Sequence, residues 1–115
     1  MAAPDCIFCS IVSGGVPADV VYETDSVVAF RDLDPQSPTH VLVVPRSHHK
    51  NAAVLAELEP SVLADLVNVA AAVAEKDGLD GDYRLVFNTG SGAGQSVFHT
   101  HLHLLGGRPM TWPPG

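Results

Sequence analysis

The chain has 115 residues, enough for one hydrophobic core but not for two, so residues 1–115 are read as a single domain. Hydrophobic residues make up 46% and charged residues 17%, a globular composition and not a disordered one. The formal charge of −7 excludes a basic nucleic-acid binder but leaves room for a small phosphate ligand, which backbone amides and imidazoles can hold against a diffuse acidic surface.

The first residues, Met1-Ala2-Ala3-Pro4-Asp5, carry no basic segment followed by an apolar run. No apolar stretch reaches the ~18 residues of a membrane span, so the expectation is a cytoplasmic protein with no membrane partner. Ile7, Phe8, Ile11 and Val12 then recur at helical spacing until Gly14-Gly15, which predicts a short N-terminal helix. Pro17 turns the chain into the strand candidate Val20-Val21-Tyr22-Glu23, and the polar turn Thr24-Asp25-Ser26 leads to a second, Val27 to Arg31; together they predict a hairpin. Asp32 to Pro38 carries two prolines and is no central strand, whereas Thr39 to Pro45 reads as a strand buried on both faces, with His40 at its start.

Pro60 opens the longest periodic segment, in which Leu63, Leu66, Val67, Ala70 and Val73 form an apolar stripe that Gly78 ends. A helix of about four to five turns follows from that length. Asp80-Gly81-Asp82 is a turn, and Tyr83 to Asn88 alternates as a strand with Tyr83, Leu85 and Phe87 on one side. The stretch Phe98-His99-Thr100-His101-Leu102-His103-Leu104-Leu105 alternates strictly, so as a strand it would carry His99, His101 and His103 on one face. The expected fold is α+β: a mostly antiparallel sheet of about five strands with the long helix on one face.

Half of the six histidines stand in that run, too many in register for a merely solvated sheet face. At ~3.3 Å per residue the outer two lie roughly 13 Å apart, so neighbouring rings can share a ligand but the triplet cannot converge on one ion without a bend. An imidazole whose other nitrogen donates to a carbonyl has a fixed tautomer and a positioned lone pair, a nucleophile suited to phosphorus. Flanking protonated imidazoles would stabilise the non-bridging oxygens. The competing use is a metal hydrolase, since His-x-His pairs also ligate Zn²⁺ or Fe²⁺, although no carboxylate lies within the run. The glycine-rich loop Asn88 to Ser96 lacks a Gly-Lys-Ser/Thr ending and is no P-loop, yet it delivers the chain into the histidines, where its amides could approach an anion. Cys6-Ile7-Phe8-Cys9 has the spacing of half a zinc site; a redox dithiol and two free thiols are the rival readings.

The run Gln95-Ser96-Val97-Phe98-His99-Thr100-His101-Leu102-His103-Leu104-Leu105 resembles the signature of the histidine triad (HIT) family, with Thr100 standing where that signature has an apolar residue. Ile7-Phe8, Phe30-Arg31-Asp32, Pro38 to Pro45 and the tail Gly106 to Gly115 have counterparts too, and the tail is similar to that of the Hint-like branch, nucleoside phosphoramidases. The resemblance implies hydrolysis at the α-phosphate of purine nucleoside phosphoramidates or nucleoside monophosphate conjugates. His101 would be the nucleophile, with His99, His103, His40 and Ser96 as its catalytic companions. It further implies a nucleotide site built from Ile7, Phe8, Ile11, Asp32, Leu33, Asn88, Gln95, Ser96, His101 and His103, with Asp32 on the ribose hydroxyls. No metal would be needed for the chemistry, but a structural Zn²⁺ is implied on Cys6, Cys9, His48 and His99. A homodimer is implied as well, the tail 106–115 carrying Trp112 toward the partner's site. Dinucleoside polyphosphate hydrolysis, or a nucleotide-binding interaction module with vestigial activity, are the alternatives.

Overall fold

The computed structural model describes Ala3 and residues 5–115, so the reading of the first five residues as free of a leader lies largely outside it. Five strands form one antiparallel sheet: β1 (Val20–Glu23), β2 (Val27–Arg31), β3 (Thr39–Pro45), β4 (Tyr83–Val86) and β5 (Leu102–Gly106), in spatial order β1-β2-β3-β5-β4. Three α-helices accompany it, α1 (Ile7–Val12), α2 (Ala52–Leu58) and α3 (Pro60–Lys76). The expected α+β class, strand number and hairpin hold, since β1 and β2 pair antiparallel.

The sheet is covered on both faces. Val27, Ala29, Val41, Val43, Leu102 and Leu104 pack against Leu66, Val69, Ala70, Val73 and Ala74 of α3. On the opposite face Val28, Phe30, Leu42 and Val44 pack against Cys6, Phe8 and Cys9 at the start of α1. Every residue of β3 is buried, the outcome expected of an apolar run between two covering layers. Pro60 sits in the first turn of α3, where its missing N–H costs nothing, and Gly78 follows the helix at φ 73°, a conformation open to a residue without Cβ.

Three expectations need correction. Helix α2 was not foreseen beside the long and the N-terminal helix, although Asn51 caps it by accepting from the Val54 N–H at 3.0 Å. The strand expected over Tyr83–Asn88 ends at Val86. The histidine strand begins only at Leu102, so His99 and His101 precede it on irregular backbone. The reason is that Thr100 is bonded elsewhere: its N–H donates to the His49 carbonyl at 2.8 Å, outside any strand ladder. The three imidazoles are therefore not a row on one strand face.

Candidate active site and metal centre

On β5, Leu102 and Leu104 point into the α3 core, which turns His103 to the α1 face. Register places Leu42 opposite His103 and Leu105 opposite His40, so the two histidines are diagonal neighbours on that face. Their rings meet, His40 Nε2 lying 3.0 Å from His103 Nδ1.

Hydrogen-bond direction then fixes each tautomer. The Gln36 N–H can only donate, and it reaches His40 Nδ1 at 3.0 Å, so the His40 proton sits on Nε2 and is offered to His103 Nδ1. The His103 proton is thereby assigned to Nε2, which is buried and has no partner among the described residues. A buried donor without an acceptor is costly, and this one is available to a ligand. His101 Nδ1 lies 2.8 Å from the His99 carbonyl, which can only accept, so its Nε2 keeps a free lone pair. The His101 and His103 ring centres are 5.0 Å apart. A bare nitrogen and an unpaired N–H thus stand side by side.

Burial pushes the His103 pKa down to about 4, and neighbouring His101 and His40 add to the shift against the opposing pull of Asp32. His99 is likewise pushed down to about 4, mainly by burial, and burial lowers His40 as well. Burial thus disfavours the protonated form of these rings, against the expectation of protonated imidazoles flanking the nucleophile. The one N–H left free among these three rings is that of His103 Nε2.

A second cluster adjoins the first. His99 Nε2 donates to the Pro45 carbonyl at 2.9 Å, leaving Nδ1 bare. That atom faces Cys6 Sγ at 3.4 Å, Cys9 Sγ at 3.5 Å and His48 Nδ1 at 3.1 Å. His48 Nδ1 in turn lies 3.4 Å from Cys9 Sγ. Tetrahedral zinc with ordinary Zn–S and Zn–N bonds has ligand–ligand edges of about 3.3–3.8 Å, so this largely buried S₂N₂ set, with His48 at its half-buried edge, fits the ion with a slight contraction. Burial raises the Cys6 thiol pKa, a penalty that a bound cation would reverse. Backbone N–H groups of Cys9 and Ala3 point at Cys6 Sγ and Cys9 Sγ, at 3.4 Å each, support suited to thiolates. Phe8 packs edge-on against both His99 and His101, with ring centres 5.9 and 5.0 Å away, and so stands against both this cluster and His101.

A cavity of about 230 Å³ is lined by Ile7, Phe8, Ile11, Asp32 and Leu33, two of which touch the histidines: Phe8 packs on His101 and Asp32 approaches His40. Val16, Pro17, Ala18, Asp19, Phe30, Arg31 and Leu42 complete it. These were missed because they come from β2, β3 and the loop before β1, which only the fold brings together. Asp32 Oδ2 stands 3.5 Å from His40 Nε2. A broader depression of about 640 Å³ is lined by Tyr83, Arg84 and Met110 and includes neither Phe8, which packs on His101, nor Asp32, which approaches His40.

Of the loop residues, Ser96 is exposed and Asn88 half-buried. Gln95 is buried with its amide engaged by its own protein: Oε1 accepts from the Gly90 N–H at 2.8 Å, and Nε2 donates to the Lys50 and Val97 carbonyls. It shapes the loop.

Residues 13–110 match the HIT domain family. A 14 kDa zinc-binding protein of Zea mays is 46% identical over 111 residues, spanning 95% of this chain and 87% of that one. The crystal structure of a HIT family hydrolase from Legionella pneumophila superposes with a TM-score of 0.92 at 48% identity, covering 96% of this chain and all of that one. A histidine triad protein from Clostridium difficile gives a TM-score of 0.91 at 38% identity over 96% of this chain and 97% of its own. Fold, interlocked imidazoles and sequence agree, and the chain belongs to the HIT domain family.

Proposed function

We propose that this protein is a nucleotide hydrolase of the Hint-like branch, acting on the α-phosphate of purine nucleoside phosphoramidates or nucleoside monophosphate conjugates. The observation that carries the reading is the pairing of a bare His101 Nε2 with an unpartnered His103 Nε2–H. His101 Nε2 attacks phosphorus while the bond to the leaving amine breaks, the amine departing with a proton that Ser96 delivers from solvent. His103 donates to a non-bridging oxygen, and His40 holds His103 in the donating tautomer. Water then cleaves the nucleotidyl–His101 bond, releasing the nucleoside monophosphate and a proton and restoring the neutral imidazole. The base lies in the cavity between α1 and β2, and Asp32 accepts from the ribose hydroxyls. Asn88 and Ser96 border the phosphate, and Gln95 serves that site by shaping the loop that carries Ser96.

The metal is Zn²⁺ on Cys6, Cys9, His48 and His99, a closed shell that supplies structural cross-linking. The protein acts as a cytoplasmic homodimer, its exposed Trp112 reaching the partner's site. A single experiment tests the chemistry: adenosine 5′-phosphoramidate mixed with enzyme and quenched early should give a nucleotidyl adduct on His101. In His101→Ala that adduct should be absent and turnover lower by several orders of magnitude. Near-wild-type turnover in that variant refutes the mechanism.

A further inference from the structure

The nucleophile's orientation rests on one peptide group. The His99 carbonyl accepts from His101 Nδ1 at 2.8 Å, and the N–H of the same peptide, that of Thr100, donates to the His49 carbonyl at 2.8 Å. Thr100 adds its hydroxyl to that carbonyl at 3.1 Å, which gives the polar residue in the triad a use. His49 is held in turn: its Nε2 lies 2.6 Å from Glu59 Oε2, an oxygen that also accepts from Ser47 Oγ at 2.6 Å. Glu59 stands between α2 and α3, with its N–H on the Leu55 carbonyl at 2.7 Å and Pro60 opening the next helix. The carboxylate is thus anchored at the junction of α2 and α3 and reaches His101 only through His49 and Thr100.

We propose that Glu59 is a positioning residue for His101, acting through His49 and the 99–100 peptide group. The inference rests on His101 as nucleophile. Tilting that peptide plane would weaken the bond at Nδ1, free the ring to rotate or change tautomer, and move Nε2 off the line of attack, a displacement that is costly even when its origin is remote. Substrate binding, carried by the separate cavity between α1 and β2, should be little affected.

The test compares Glu59→Ala with Glu59→Gln in the protein as purified, reading kcat, KM and the imidazole ¹⁵N spectrum of His101. In Glu59→Ala, kcat should fall about tenfold or more with KM within about twofold, and His101 should lose its single Nδ1-protonated form. Glu59→Gln keeps an acceptor oxygen and should recover most of both. If Glu59→Ala does not fold, His49→Asn, too short to reach Glu59 but retaining the carbonyl, carries the same expectation. An unchanged His101 spectrum in the uncoupled variant overturns the proposal, as does an equal loss of kcat in Glu59→Gln. The spectrum needs no turnover, so an enzyme inactive on phosphoramidates would refute the proposed activity without deciding this point.

Discussion

At the scale of single residues, the chemistry of this site is a matter of which nitrogen holds each proton. His103 is depressed to about 4 against an ordinary 6.5, so the unfolded chain binds more protons between those values. Stability must then fall as pH drops from about 6.5 toward 4, the loss reaching its full size only below the folded value. Thermal melts across that window, compared between wild type and His103→Gln, should show a flatter decline in the variant; an identical slope would contradict the assignment. Asp32 makes a separate prediction. Because its carboxylate borders the cavity and is proposed to hold the ribose, Asp32→Asn should raise KM for a ribonucleotide conjugate about tenfold and leave the 2′,3′-dideoxy analogue nearly unchanged.

Among the elements, α3 and the ion pair at its end set the platform. Leu66 is fully buried between α3 and the sheet, so Leu66→Ala should cost about 2–5 kcal/mol, read as a lowered denaturation midpoint with an unchanged denaturant slope. Arg31, at the end of β2, makes a two-pronged pair with Asp77 at 2.7 and 3.0 Å, and Thr39 Oγ1 donates to the same carboxylate at 2.8 Å. The guanidinium holds the Asp77 carboxyl below the usual carboxylate range. This carboxylate ties the C-terminal end of α3 to two strands at the edge of the cavity that Arg31 helps to line. Gly107 is constrained in another way, at φ 90° with a Cβ position only 2.9 Å from Pro38. Gly107→Ala should therefore destabilise by at least ~1 kcal/mol through backbone strain and the stiff proline ring together, as a thermal melt would reveal.

For the molecule as a whole, the metal cluster joins three distant parts of the chain: the start of α1, the loop after β3 and the segment ahead of β5. Chelation should loosen α1, which walls the proposed base cavity through Ile7, Phe8 and Ile11, while leaving the His101 bond to the His99 carbonyl in place. The expected outcome is a lower melting temperature and weaker nucleotide affinity with single-turnover chemistry at saturating substrate largely kept. Zinc well below one equivalent per chain in protein purified without a histidine tag, unchanged by Cys6→Ser with Cys9→Ser, would refute the metal.

What the sequence determined by itself was whatever depends on near neighbours. The 3.6-residue stripe of α3, the fully apolar run of β3 and the Thr24-Asp25-Ser26 turn each state a local preference that tertiary packing had no reason to overrule. Through family resemblance the sequence also singled out the histidines whose rings the structure brings together and the four residues of the metal cluster. Alternation of the histidines read as a strand failed, because Thr100 pairs with His49 and not with a neighbouring strand, a partner 51 residues away that no local pattern records. The same holds for proton positions: Gln36, Pro45 and the His99 carbonyl decide the tautomers of His40, His99 and His101. Periodicity reports which face a side chain takes, but charge state and hydrogen-bond direction depend on burial and on the partner met across space, and only the tertiary structure supplies those.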